Sequence, residues 1–415
     1  MDKKLEPLYR SILGGDFAAV TGHVQTALDS GISADRVMSQ GLIPGMIESG
    51  RIPKSQVDFG LGVEVVSDLL KPVPTPQGIT SREIVKRAIE FNSPPRIPYS
   101  FLYNPTATDL LELYIVTATF QDISRSKRDT YTDRWGVKWQ VTGRAWNSAI
   151  EHPLADLSKL DSYKFPSIPS PRIFSITEPF VRLGQAAGKY IVAGNPILMY
   201  ETMRSLMGFE ALMMAHYTQP DGLRALLDRL TEMTISCIEG YASIGGVDAI
   251  ISAEDWGLQN RLQMKIDAFR EFYKPYYSRI INATHEHGMH FIWHNCGYIV
   301  DMFPDMIDLG VDVVQLDQPR LMGHQRLIDE LGGKLCMWNT VDIQWSTSGK
   351  VTDEDIRREV AEMLRIYDVD RFRGGFIVKH YLQPWDINLT PERQRLIYDA
   401  FMRNIEKGNP ATNPY

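Results

Sequence analysis

From about residue 97 onward, short runs rich in Val, Ile and Phe alternate with longer stretches whose apolar residues recur at helical spacing. The runs predict strands at 97–103, 190–197, 249–253, 290–293, 311–316, 334–338 and 374–379. The stretches between them predict helices at 209–216, 220–244, 265–287, 299–309, 352–367 and 391–407. Strand–helix alternation at this spacing implies a parallel sheet, and seven clear strands imply an eighth and closure into a barrel. An open doubly wound sheet is the alternative, although no Gly-rich GxGxxG or Walker loop follows any of the strands.

The first 70 residues read differently. Their apolar positions fit helices at 5–11, 17–30 and 34–48, broken at Gly14-Gly15-Asp16, Gly31-Ile32-Ser33 and Gly50-Arg51-Ile52-Pro53. Asp16 and Ser33 suit N-caps. Helices this short bury little alone and need a partner or the rest of the chain. Lys71 to Thr80 holds three prolines in six residues, a stiff extended linker. Thr80 or Ser81 caps a new helix at 82–92, so the boundary falls near residue 78. The expected fold is therefore α/β, a (β/α)8 TIM barrel over 80–410, preceded by a small all-helical domain at 1–70 and a linker at 71–79.

Composition changes this picture little. The 415 residues are 44% hydrophobic and 23% charged, with a net charge of −7, which is ordinary for a globular protein. No Lys/Arg block points to nucleic acid, and no apolar run is long enough to span a membrane. The N-terminus lacks the apolar segment of a signal peptide. Three cysteines, Cys237, Cys296 and Cys336, are too few for a disulfide framework. A reducing, cytoplasmic setting is expected.

In a barrel the chemistry collects where strands end. The strand at 249–253 runs into Glu254-Asp255-Trp256-Gly257, and the strand at 290–293 into His294-Asn295-Cys296-Gly297. Gln315 and Asp317 close the next strand, Asn339 the one after, and His380-Tyr381 the last; Tyr200 and Glu201 follow the strand at 190–197. On a strand, residues i and i+2 share a face, so His294 and Cys296 converge on one point, as a zinc ion requires. A buried cysteine beside a structural histidine satisfies the same spacing; the position at a strand end, with His380 at another, favours the metal. A catalytic zinc site has three protein ligands and one open position. His380 is the expected third ligand, with Glu254 or Asp255 in reserve, as a displaceable fourth ligand or as catalytic proton relays. Cys336 lies within its strand and reads as a small buried hydrophobe. His285, His287 and His290 read as structural, the first two ending a helix and the third starting a strand. Tyr200, Trp256, Tyr381 and Trp385 are candidates to clamp a flat apolar substrate, or are ordinary loop packing; Gln315, Asp317 and Asn339 are candidate hydrogen-bonding residues for its substituents.

Over about residues 80–405 the chain resembles the uroporphyrinogen-decarboxylase superfamily. The resemblance is carried in order by Arg82–Glu90 with Pro95-Arg-Ile-Pro98, by Asp133-Arg-Trp-Gly136 (like a DxWG segment of methyltransferase-like members), and by His152-Pro-Leu154, Leu160-Asp161 and Phe165-Pro166. It continues through Glu254-Asp-Trp-Gly-Leu-Gln259 (like DDxGxQ), Arg270–Pro275, His294-Asn-Cys-Gly297, Gly310-Val-Asp312, Gly374-Gly-Phe-Ile377 and His380-Tyr-Leu-Gln383. True decarboxylases carry an arginine-rich RQAGR-like segment after the first strand; here that stretch, Ser100–Thr108, has no arginine to grip porphyrinogen carboxylates. The superfamily's coenzyme M methyltransferases bind zinc through HxC and a later cysteine, where this chain has His380. Residues 1–70, with Gly15-Asp16-Phe17, Ala27–Gly31 and Gly41–Met46, resemble the helical cap of methyl-corrinoid proteins, without the cobalamin-binding domain and its DxHxxG motif; a generic extension used for homo-oligomerisation fits them too.

The resemblance implies a zinc-dependent transferase that moves a methyl group from a small methylated substrate, an aromatic methyl ether first among them, to the cobalt of a corrinoid held by a partner protein. Zinc would act as a Lewis acid on the ether oxygen. The alternatives are transfer from methylcobalamin to a thiol, a decarboxylase-like lyase, and a metal-free binding partner of a corrinoid protein.

Overall fold

A computed structural model describes residues 2–49, 67–113, 129–141, 147–169, 171–381 and 384–405. The first two expected N-terminal helices form, at Glu6–Gly14 and Phe17–Asp29, and the one expected at 34–48 is divided into Ala34–Val37, a π-helical turn Met38–Leu42 and Ile43–Glu48. Gly15, at φ +80, ends the first, and the Asp16 side chain caps the second through the Ala19 N–H. Phe17–Asp29 and Ala34–Val37 pack on the helix Pro171–Ala186 of the barrel. Leu8, Ile12, Val20 and Val24 join the same apolar core as the barrel's outer layer, so the rest of the chain completes what these helices cannot bury alone. The expected break at 50–53 lies outside the described residues. The proline linker has no regular structure and is pinned to the barrel: Arg96 donates to the Pro74 carbonyl and Lys189 to that of Lys71. Thr80 caps the next helix, Ser81–Ile89.

The strands are β1 (Tyr99–Phe101), β2 (Ala107–Thr108), β3 (Leu110–Glu112), β4 (Thr130–Thr132), β5 (Lys138–Val141), β6 (Asn147–Glu151), β7 (Tyr190–Gly194), β8 (Ala249–Glu254), β9 (His290–Asn295), β10 (Val313–Leu316), β11 (Cys336–Asn339) and β12 (Phe376–Lys379). One sheet has the order β2-β1-β12-β11-β10-β9-β8-β7-β3. Every neighbouring pair in it is parallel except β1 with β2. The eight parallel strands are those of a TIM barrel, with β3 the strand that the apolar pattern did not mark. A second, antiparallel sheet, β4-β5-β6, is inserted between β3 and β7. It carries the Asp133-Arg-Trp-Gly segment, whose Asp133 carboxylate accepts the N–H groups of Trp135 and Val137 and the Trp139 indole.

A repeated device closes the starting end of the barrel. Asp109, Asp248 and Asp312 each stand one residue before a strand (β3, β8, β10). Each donates its own N–H to the preceding barrel strand, to the carbonyls of Tyr99, Ile191 and Phe291. Each carboxylate accepts the N–H of that same residue, at 3.1, 2.9 and 2.7 Å. Each carbonyl receives the first N–H of the following strand, from Tyr190, His290 and Cys336. Asp109 thus spans the seam between β1 and β3, where the short reversed β2 intervenes.

Two expectations need correction here. Tyr200 and Glu201 do not end a strand; they lie in the first turn of the helix Met199–Met207. The single helix expected at 265–287 is divided into Ile266–Ala268, a π-helical turn Phe269–Tyr273, and Lys274–Glu286. Pro275 has no N–H to give the Glu271 carbonyl and its ring crowds it, so the turn before it widens. No described helix is long and apolar enough to cross a membrane.

Candidate metal centre and its surroundings

Alternation along the strands decides what enters the barrel. Ala249, Ile251, Ile292, Val313, Cys336, Trp338 and Ile377 share one buried cluster inside it, whereas Ile250, Phe291, Trp293, Val314, Met337, Phe376 and Val378 pack outward in the helix layer. Two-residue steps from the inner set lead to Asp255, His294, Cys296, Gln315, Asp317 and Lys379. The same steps from the outer set lead to Glu254, Asn295, Asn339 and His380.

Asp255, His294 and Cys296 come together: one potential ligand atom from each lies within 4.8 Å of the others, and Cys296 Sγ is 3.5 Å from His294 Nε2. All three are half-buried at the open end of the barrel. Two glycines set this approach. A Cβ on Gly257 would lie 2.6 Å from the Cys296 carbonyl, and one on Gly297, at φ +80, would lie 2.4 Å from the Gly257 carbonyl. Only bare backbones let the loops after β8 and β9 touch. Gln263 then fixes the first loop, donating to the Asp255 carbonyl and accepting from the Tyr200 hydroxyl. Gln318 fixes the second, accepting the Gly297 N–H at 2.7 Å. His294 Nδ1 is buried with no hydrogen-bond partner among the described residues.

The local field favours a cation. Burial, the Asp255 and Asp317 charges and a hydrogen bond to Asp255 push the Cys296 thiol well above its ordinary range. Burial pulls His294 below its range, against the charges of Asp317 and Asp255. A divalent ion would reverse the first effect, as it draws a thiolate. Carboxylate, imidazole and thiol together are a donor set that zinc accepts, with a position left open.

The other candidate residues divide. Gln315 and Asp317 stand inside the barrel, and Asp317 is paired with Lys379 at 2.9 Å. Tyr381 is half-buried, and burial with the charges of Asp317 and Cys296 raises its hydroxyl, which places it beside the centre. His380 does not reach the cluster. It projects outward, its ring centroid 4.6 Å from that of Phe101 and near Tyr398, and the carbonyls of Tyr103 and Gln394 lie towards it without well-aligned hydrogen bonds. The third residue of the cluster is Asp255.

Glu254 also faces outward. Its carboxylate caps the helix Met199–Met207 by accepting the Tyr200 and Glu201 N–H groups, both at 3.2 Å, and the Tyr277 hydroxyl at 2.9 Å. Burial raises it to about 8, with the Glu201 charge adding and these donors opposing. It is a structural cap, fully enclosed, and not a proton relay facing substrate. Asn339 donates to the Tyr367 hydroxyl in the helix layer. Tyr200 and Trp256 stack on each other at 4.2 Å, 0% and 1% exposed, so they form core and cannot clamp a ligand. Trp385 lies edge-on to Tyr103 at the surface, 37% exposed. His290 and His285 are structural, bonded to Tyr190 and Asp312. Cys336 is fully buried, its thiol raised by burial.

Sequence reasoning missed Lys379 and Trp338 inside the barrel and Gln263 and Gln318 behind the loops. Strand parity was the signal for the first two: Trp338 follows Cys336, and Lys379 follows Ile377, by two residues. The loop glutamines had none.

The family model "Uroporphyrinogen decarboxylase (URO-D)" matches residues 139–379, more than half of the chain. The uroporphyrinogen decarboxylase of Geobacillus thermodenitrificans is 30% identical over 129 residues, 31% of this chain and 33% of that protein. That of Oceanobacillus iheyensis is 29% identical over the same length and shares. The chain thus spans about a third of the length of the curated relatives it matches. Among solved structures, a methyltransferase from Methanosarcina mazei superposes with a TM-score of 0.54 at 16% identity, over 78% of this chain and 99% of that one, a likeness of fold. Together with the barrel and the order of its motifs, the family match establishes that this chain belongs to the uroporphyrinogen decarboxylase family.

Proposed function

We propose that this protein is a zinc-dependent methyltransferase, which takes a methyl group from a small methylated substrate, best an aromatic methyl ether, to the cobalt of a corrinoid protein. The observation that carries this reading is the convergence of Asp255, His294 and Cys296 at the open end of the barrel. A thiolate-containing set suits zinc and has no use in gripping a porphyrinogen. The chain around β1 points the same way: Ser100 within it bonds Glu112, and Arg96, ahead of it in sequence, is committed to Asp109 at the far end. The fold likeness to a methyltransferase is consistent with it.

Asp255, His294 and Cys296 would hold the ion, which supplies Lewis acidity towards the substrate's ether oxygen. Gln263 and Gln318 keep the two ligand-bearing loops in place, so the ligands are pre-positioned. Glu254 anchors the helix Met199–Met207 against β8 from behind. Asp317 and Lys379 wall the side of the centre away from β8, and Tyr381 stands at its half-open edge.

The test pairs metal analysis with loss of the reduced corrinoid's absorbance when a methoxyaromatic is added. Wild type should hold about one zinc per chain; Cys296→Ala and Asp255→Asn should lose zinc affinity and activity by about 100-fold or more, since first-ligand loss exceeds the 10- to 100-fold typical of supporting residues. His380→Phe should keep its zinc. A wild-type protein that takes up no zinc on reconstitution sinks the proposal.

A further inference from the structure

One wall of the barrel interior holds hydrogen-bond donors without acceptors. β9, β10, β11 and β12 pair so that His294, Gln315, Trp338 and Ile377 lie side by side, and Lys379 is the next inward residue after Ile377. The Lys379 ammonium is 2.9 Å from Asp317 Oδ1, with side-chain exposures of 8% and 5%, and 5.8 Å from the centre of the Trp338 ring. An ammonium has three N–H groups, and Asp317 engages one. Trp338 Nε1 and Gln315 Nε2 are buried with no partner among the described residues. A buried cation and two donors unpartnered among the described residues, on adjacent strands, suit a ligand that only accepts.

We propose that Lys379, Trp338 and Gln315 form a carboxylate-binding subsite beside the metal centre, so that the substrate is a methylated aromatic acid. The assignment of the ligand as the methyl donor rests on the methyl-transfer reading; the subsite itself does not. Charge selects the carboxylate. Lys379 shares its charge with Asp317 and keeps two N–H groups, so a carboxylate would receive charge-assisted hydrogen bonds that a neutral acceptor receives more weakly. A phosphoryl dianion would meet Asp317 and Asp255 with its second charge. A primary amide offers this wall one acceptor oxygen and turns its N–H groups towards donors, and an alcohol accepts without charge.

The experiment is calorimetric titration of the full-length, zinc-loaded protein with benzoate and 4-methoxybenzoate, each against its neutral primary amide. Wild type should bind the acids at least 10-fold more tightly than the amides. That preference should vanish in Lys379→Met. It should vanish also in Asp317→Asn/Lys379→Met, which leaves no unpaired buried charge and guards against simple unfolding. Trp338→Phe keeps the ring, lacks the N–H, and should weaken the acids several-fold more than the amides. Equal binding of acid and amide, no saturable binding of either acid, or a preference that survives in the double variant overturns the subsite. Acid binding that follows this pattern without methyl transfer to a reduced corrinoid keeps the subsite and removes the methyl-transfer reading. Methyl transfer from neutral and acidic ethers at equal kcat/KM does the reverse.

Discussion

At the end of the barrel where the strands begin, Asp109, Asp248 and Asp312 each bind a neighbouring strand's N–H and a cationic or hydroxyl side chain: Arg96 and Ser81, Arg82, and His285. At the end where the strands finish, the inward-facing His294, Gln315 and Trp338 keep buried nitrogens with no partner among the described residues. The chain is the same and the strands are the same; only the use of polar groups differs. A buried polar group without a partner costs about 1–3 kcal/mol. The first end spends its polar atoms on closing the ring, and in the function proposed above the second keeps them for a ligand. That division is the one expected of a barrel enzyme, in which one face stabilises and the other reacts.

The comparison breaks most visibly at Asp109. Its carboxylate is 0% exposed and accepts from Ser81, from two Arg96 N–H groups and from the Tyr99 N–H. Asp109→Ala strands a largely buried guanidinium and opens the seam between β1 and β3. Loss of one partner from such a pair costs about 3–5 kcal/mol. Urea unfolding should show this, with zinc per folded chain unchanged. A loss of under about 1 kcal/mol would mean that the seam is closed by something else.

His380 tests whether a residue at the reactive end can behave as floor. Burial lowers it to about 3 from 6.5, so the folded state resists a proton that the unfolded chain accepts. Stability from keeping it neutral is complete above pH 6.5 and is lost as the pH falls towards 3. At pH 5 the loss amounts to about 2 kcal/mol. His380→Phe, which cannot titrate, should give an unfolding midpoint that falls less between pH 7 and pH 5 than that of wild type. Parallel curves would place His380 in contact with water.

How much of this the sequence disclosed follows from which signal each residue left. Long apolar runs marked seven strands, because both faces of a parallel barrel strand are buried and the run is unbroken. β3 escaped because it is three residues long and ends in Glu112, although Asp109 before Leu-Leu-Glu repeats the Asp-before-strand pattern of Asp248 and Asp312. His294 and Cys296 were legible because their spacing fixes a shared face within one strand. The third member of the cluster was not, because choosing between Asp255 and His380 needs the parity of two further strands. Counting inward from Ile251 gives Asp255, and counting from Ile377 gives Lys379, which turns His380 out. The same count would have turned Glu254 and Asn339 out. Tyr200 and Trp256 needed more than parity: their burial depends on how the helix Met199–Met207 returns over β8, which is tertiary information.

The smallest effect is the sharpest test of the division. If the polar groups at the reactive end serve a ligand, removing one should not weaken the metal-free fold. His294 is the best place to look: its Nδ1 is buried and unpartnered, and burial already disfavours its charge. His294→Leu exchanges an unsatisfied ring nitrogen for an apolar side chain of similar reach, beside Ile292 on the same face of β9. The two changes nearly offset, so the urea midpoint of metal-free protein should stay within about 0.5 kcal/mol of wild type or rise. Adding zinc should then separate the two proteins, since a ligand that binds only the folded state stabilises in proportion to the logarithm of its concentration over its dissociation constant. Wild type should gain stability with zinc and His294→Leu should not. A large loss in the metal-free variant would make His294 a structural residue after all, and the contrast between the two ends would then be one of degree.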